Sequence, residues 1–192
     1  MTQDIVTILS VLGVVGQVLI VLGLVVGLLA LFGVRGPLDW LRNLLWGYEL
    51  WGAFVVAAIA TGGSLFYSQV ATFVPCELCW YQRICMYPLS IMLLLMAIWG
   101  ADRAARYIVA LPIVGAGISI YHMLIGYGAM VEPASCTAGG NPGCGTNWIM
   151  GEDFGYLQIE TLAFTAFLLL IGFLVLATAG TAEDAATLRA NA

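Results

Sequence analysis

The sequence predicts an all-α protein whose helices cross a membrane, and three observations carry that prediction. The chain has 192 residues, 62% of them hydrophobic and only 9% charged. Such a composition suits a protein built mainly from spanning helices rather than a soluble domain. The apolar residues gather in five long stretches, at 5–32, 51–67, 84–99, 107–127 and 157–178. The third observation is charge. All six cations are arginine, and the net charge is -5. That balance argues against nucleic acid or an anionic membrane surface as partner.

Residues 5–32 are uncharged and long enough to span a bilayer. A signal peptide is the competing reading. This run is far longer than a usual signal h-region, and no basic residue precedes it, so it is read as a retained helix. In the connector 33–49, Pro37 opens a short helix with Leu38, Leu41 and Leu45 on one face. Trp40, Trp46 and Trp51 suit a membrane–water interface, so this helix is expected to lie at the headgroups.

The second span, 51–67, is rich in small residues. Ala57, Ala58, Ala60, Gly62 and Gly63 allow close helix packing. The third, 84–99, is long enough only if its helix begins near Cys79 or Trp80, and Pro88 is a candidate kink. A tight turn is expected over 100–106. The fourth span, 107–127, carries Pro112 and His122. The longest connector, 128–156, holds Cys136 and Cys144 among glycines and prolines. The fifth span has Glu160 near its start, and a polar, frayed tail is expected after it.

With five spans the connectors alternate sides. Arg35, Arg42, Arg103, Arg106 and Arg189 then share one side, expected to be cytoplasmic, along with the C-terminus. Only Arg83 falls on the other. The same parity gathers Cys76, Cys79, Cys136 and Cys144 on the extracytoplasmic side of a plasma membrane, where disulfides persist. The cysteines played no part in that assignment.

The chemistry centres on Cys76-Glu77-Leu78-Cys79-Trp80-Tyr81-Gln82-Arg83. If Cys79 opens a helix, Arg83 lies one turn further along the same face. A helix N-terminus and a guanidinium both favour the thiolate, which is the attacking form. An arginine this near lipid also needs a partner or a task. The alternatives for Cys76 and Cys79 are a structural bridge or half of a zinc site completed by Cys136 and Cys144. Zinc is disfavoured, because the outer loops hold no histidine and Arg83 opposes a cation. The loop pair, Cys136 and Cys144, reads either as a staple or as an exchangeable disulfide that a flexible loop presents to another protein. Cys85, six residues after Cys79, falls on a different helix face and reads as a buried, inert thiol. His122 is close in depth to Arg83 and is either functional or bonded to a neighbouring helix. Glu160 either pairs with Arg83 or reaches the headgroups. Met86, Met92 and Met96 read as packing residues.

The eight-residue motif, followed by Met86-Tyr87-Pro88, resembles the signature of the DsbB/BdbC disulfide bond formation proteins. Ile120-Tyr121-His122 and the second cysteine pair ahead of Phe154-Gly155-Tyr156 are similar to that family too. The likeness covers roughly residues 51–178. It implies a four-helix transmembrane bundle, here residues 50–180. An extra N-terminal helix and cytoplasmic connector (1–49) would precede it, and a cytoplasmic tail (181–192) would follow. It implies reoxidation of a thioredoxin-like DsbA/BdbD-type dithiol oxidase, with electrons passed to a quinone of ubiquinone or menaquinone type. Cys136 and Cys144 then resemble the pair that exchanges with the partner, with Cys136 forming the mixed disulfide. Cys76 and Cys79 resemble the membrane-proximal pair, with Cys79 facing the quinone. Arg83 and His122 match quinone-proximal positions. The sequence departs from the pattern in its extra first helix, in Cys85, and in a loop pair with only seven intervening residues, nearer the BdbC type.

Two further readings stand beside this one. A vitamin K epoxide reductase-like protein also couples four cysteines to a quinone, but there the Cys-x-x-Cys follows the loop pair rather than preceding it. A membrane protein using the thiolates as soft metal ligands belongs to a different class, as does a scaffold with two inert staples.

Overall fold

The computed structural model describes the backbone over residues 2–137, 143–146 and 157–190 and the side chains over 4–137, 143–146 and 157–179. Part of the cysteine loop (138–142), the Phe154-Gly155-Tyr156 element and the Arg189 side chain lie outside the described residues. Among the described residues the architecture is all-helical, and five helices are long and apolar enough to cross a membrane.

Helix α1 (Thr2–Leu31) is followed by α2 (Gly36–Leu45), with Pro37 in its first turn as expected. No residue of α2 is buried, and Trp40, Trp46 and Trp51 are exposed, as interfacial aromatics should be. Helix α3 spans Glu49–Gln69 and α4 spans Glu77–Trp99. The third span thus starts earlier than expected. Cys76 itself is the cap, with extended backbone, and its Sγ accepts the Cys79 N–H at 3.3 Å. Helix α4 runs on through Pro88 and ends at Gly100, whose φ of 61° is the left-handed conformation that glycine adopts without strain. The expected tight turn is itself helical. A 3-10 turn (Asp102–Ala104) leads into α5 (Ala105–Ile108) and α6 (Ala110–Gly126). Pro112 is tolerated because it sits in the first turn of α6. After α7 (Ala134–Thr137) comes α8 (Ile159–Ala190). The expected frayed tail is therefore corrected, since the helical backbone of the fifth span continues to Ala190.

Helices α3, α4, α6 and α8 close a four-membered ring, and α1 packs on the outside against α8. Each ring helix buries one stripe at helical spacing. On α4 the stripe is Leu78, Gln82, Cys85, Met86, Leu89, Leu93 and Met96. On α8 it includes Phe167, Leu170 and Leu174. The opposite faces stay apolar and exposed, as in Ile84, Ile91 and Ile113, which suits lipid and not water. Because lipid is as apolar as leucine, close packing must supply the cohesion. Ala53 and Ala57 are fully buried between α3 and its neighbours. Gly63 packs near Leu9, whereas a β-carbon at Gly62 would meet nothing. Helices α6 and α8 approach closely at Gly115, where a β-carbon would run into the Phe167 ring. Cys85 is buried in this core, as are Met86 and Met96, while Met92 faces outward.

Phe167→Ala should lower stability in detergent by about 3 kcal/mol. That is the low end for such a truncation, since the membrane-inserted unfolded state already surrounds the ring with apolar matter. Thermal unfolding of the purified variant checks this, and an unchanged midpoint would contradict the packing described.

Candidate functional site

The helix order brings the α3–α4 link and the α6–α8 link to the same end of the bundle. There Cys76, Leu78, Ile125, Cys136 and Cys144 pack in one cluster, with Cys79 against it. Cys136 and Cys144 are joined, with Cα atoms 5.5 Å apart. Cys76 and Cys79 are free thiols with sulfurs 3.0 Å apart, within hydrogen-bonding reach.

The loop pair reads either as a staple or as a disulfide presented to another protein. In the structure Cys136 and Cys144 are 1% and 2% exposed. Glu132 explains the fold-back. Its carboxylate accepts the Gly145 N–H at 3.3 Å and presses on Gly143, where a β-carbon would collide with it. A side chain at that position would make the carboxylate shift.

His122 joins the two pairs. Its Nε2 lies 3.1 Å from the Cys144 carbonyl oxygen and 3.6 Å from Cys76 Sγ. A carbonyl only accepts, so Nε2 carries the proton and faces the sulfur as a donor. Nδ1 is buried with no partner among the described residues. Beside these groups is a small recess lined by Cys76, Cys79, His122, Cys144 and Glu160. Glu160 is buried there. Neither expected role of Glu160 holds, because α8 turns its first carboxylate towards the cysteines rather than to Arg83 or the headgroups.

Thiolate character falls on Cys76. The hydrogen bond from the Cys79 thiol is the main cause, His122 adds to it, burial opposes it, and the result is about 5. The sequence argument put the thiolate on Cys79 through Arg83. The difference follows from Cys76 being the helix cap and from Arg83 being engaged elsewhere. Because the pKa is depressed, Cys76 should be a thiolate at all pH values above about 5 and protonate only below it. Its ultraviolet thiolate absorbance, taken as the difference from a Cys76→Ser variant, should titrate near that value. His122→Ala should move the midpoint upward, and an unmoved midpoint would remove the histidine from this role.

Arg83 bridges α4 to α3. Its Nε donates to Ser64 Oγ and its Nη2 to the Ser64 carbonyl, both at 3.0 Å. Tyr87 donates to the same Oγ at 3.3 Å, and Trp80 lies under the guanidinium at 5.2 Å. Gln82 donates to Ser119 Oγ at 3.0 Å, and Ser119 passes the bond on to the Gly115 carbonyl at 2.9 Å. Sequence reasoning missed Ser64, Tyr67, Gln82 and Ser119. Their signal was polarity inside apolar spans, where every such group needs a partner.

Arg83 also borders an apolar cavity of about 260 Å³, whose walls include Ser64, Tyr67, Tyr87, Met86 and Phe167. The Tyr67 hydroxyl is buried without a partner among the described residues. His122 does not line this cavity. The expected grouping of His122 with Arg83 therefore divides, with the histidine at the cysteines and the arginine at the cavity. Cys76, Cys79 and His122 also place two sulfurs and a ring nitrogen within 4.8 Å of one another. Cys136 and Cys144, the candidates for the two remaining zinc ligands, are bonded to each other instead.

The family model described as "Disulfide bond formation protein DsbB" matches residues 43–179. Disulfide bond formation protein C of Bacillus subtilis (strain 168) is 40% identical over 134 residues, covering 66% of this chain and 90% of that protein. A probable disulfide formation protein of Deinococcus radiodurans is 36% identical over 131 residues, covering 66% of this chain and 86% of its own. One from Coxiella burnetii (strain CbuK_Q154) is 38% identical over 136 residues, covering 70% and 90%. No solved structure matches.

Proposed function

The chain belongs to the DsbB family of disulfide bond formation proteins, and we propose that it reoxidises a thioredoxin-like dithiol oxidase of the DsbA/BdbD type and passes the electrons to a membrane quinone. It is a multi-pass membrane disulfide oxidoreductase. The partner, the acceptor, the residue roles and the sidedness, with the cysteine end extracytoplasmic, are our reading.

One observation carries it. Two cysteine pairs share one buried cluster, with His122 touching both and Arg83 at a cavity one turn away along α4. Exchange between pairs needs near-contact of sulfurs, and this packing supports it. A partner thiolate attacks Cys136, the Cys136–Cys144 bond breaks, and Cys144 leaves as thiolate. The partner's second thiolate attacks the mixed disulfide and departs oxidised, leaving both loop cysteines reduced. The loop thiols then re-form their disulfide by reducing a Cys76–Cys79 disulfide. Because the loop disulfide is buried, the partner must displace the loop before it can attack. His122 holds a proton at Nε2 beside the Cys76 sulfur and so stabilises its thiolate.

The residues bordering the cavity fit a quinone. It is apolar, about 260 Å³, edged by the Arg83 guanidinium and by the unpartnered Tyr67 hydroxyl. A quinone held there supplies an acceptor for the two electrons and two protons released when Cys76 and Cys79 close to a disulfide. The Arg83 donors orient a carbonyl oxygen, and the apolar walls exclude water.

The test is quinone reduction by the purified protein with a reduced thioredoxin-like donor, followed optically. Sustained turnover with a ubiquinone or a menaquinone is expected. A second reading, a soft-metal site, draws on the Cys76, Cys79 and His122 cluster. Stoichiometric zinc in the purified protein, without turnover on any donor, would favour that reading instead.

A further inference from the structure

Helix α1 lies outside the residues that match the family. It is nevertheless not a loosely attached anchor. Gly13 and Gly16 let it press onto α8, the first against Leu162 and the second against Thr165 and Leu169. At the cysteine end it also reaches α3, where Val6, Tyr67 and Leu157 form a buried cluster with Leu9 beside it. Further along, the broad packing of α1 is against α8 and not α3. The space left there is the cavity that Arg83 borders, and Leu9, Leu12, Gly16 and Leu19 of α1 form its outer wall.

The shape of this space is informative. From Leu9 to Leu19 the helix rises about 15 Å, so the cavity is a slot running down the membrane. Its polar groups gather near the cysteine end, in Ser64, Tyr67, Gln82 and Arg83. Tyr67 is 6% exposed and its hydroxyl has no partner among the described residues. A buried hydroxyl left unpaired is costly, so it marks where a ligand's acceptor belongs. The rest of the wall, from Val56 and Ile59 to Leu169, is almost wholly apolar.

We propose that α1 is part of the acceptor site. It turns an open groove between α3 and α8 into a slot whose polar end takes the ring of a quinone, with Tyr67 donating to a ring carbonyl, and whose apolar length takes the first part of an isoprenoid tail. This inference rests on the quinone reading above. It makes α1 a determinant of tail recognition, separate from ring recognition by Arg83 and Tyr67.

Leu12→Trp tests the tail. Leu12 is 43% exposed and lines the slot, so a larger side chain fills the slot without entering the helix core. Binding is read directly, as long-tailed quinone retained per protein after purification and as displacement of a photoreactive tail analogue. The variant should weaken the long-tailed quinone by about tenfold, as overfilling a packed site does. A tailless ring quinone should bind as in wild type. Tyr67→Phe keeps the ring stacked on Phe73 and should weaken both quinones equally. The photoreactive tail should label residues 4–31 in wild type. Unchanged long-tail binding in Leu12→Trp, or labelling confined to α3 and α8, would overturn the role of α1. Labelling of α1 by a phospholipid analogue that quinone cannot displace would overturn it too, by making the slot a lipid site. If wild type binds neither quinone, it is the acceptor reading itself that fails.

Discussion

Serine in place of Cys79 should end sustained turnover, lowering quinone reduction by at least about 10³-fold, the scale on which removal of one member of a reacting unit is felt. A hydroxyl cannot form the Cys76–Cys79 bond, so electrons entering the loop pair have no exit. The loop disulfide remains intact in that variant, and one equivalent of reduced donor should still be oxidised. Cys136→Ser should behave differently. It removes the sulfur that the partner attacks, so even the single equivalent is lost. Both variants keep side chains of similar size within the cluster around Cys76 and Leu78, so folding should survive. The measurement is donor thiol consumed against quinone reduced. Many equivalents oxidised by Cys79→Ser would sink the relay through both pairs.

Arg83→Ala should raise the quinone KM by about 10- to 100-fold. That range follows from losing charge-assisted hydrogen bonds worth about 1.5–3 kcal/mol, at 1.4 kcal/mol for each factor of ten. The KM for the dithiol partner should hardly move, since Arg83 lies at the cavity and not in the recess around the cysteines. The same change unties α4 from α3, because Arg83 spends two donors on Ser64. Ser64→Ala separates the two effects. It removes one of the hydrogen bonds but leaves the guanidinium at the cavity, so quinone affinity should fall far less. Lysine at position 83 should restore little, because a single ammonium cannot reproduce the two-point grip on the Ser64 hydroxyl and carbonyl. An Arg83→Ala protein with wild-type quinone kinetics would remove the arginine from the acceptor site.

Much of this molecule was legible along the chain. The five spans follow from the length of each apolar run, because backbone groups in lipid must be satisfied within a helix. The start of α2 follows from Pro37, and the burial of Cys85 from its helical offset from Cys79. The cysteine motif with Arg83 pointed to the family before any fold was known. These are properties of a residue and its near neighbours in sequence.

The rest needed the tertiary structure, because it depends on how helices turn towards one another. Composition did not reveal that Glu160 faces the cysteines, that His122 bonds the Cys144 carbonyl, or that the loop disulfide is buried. Each of these depends on the rotation and approach of α4, α6 and α8. Those are set by matched shapes such as Gly115 under Phe167, where one missing β-carbon lets two helices close. The position of α1 was decided in the same way, by Gly13 and Gly16 against α8. Hydropathy determines that a helix enters the membrane. Since lipid and helix faces are equally apolar, only close packing and a few buried polar bonds decide which faces meet.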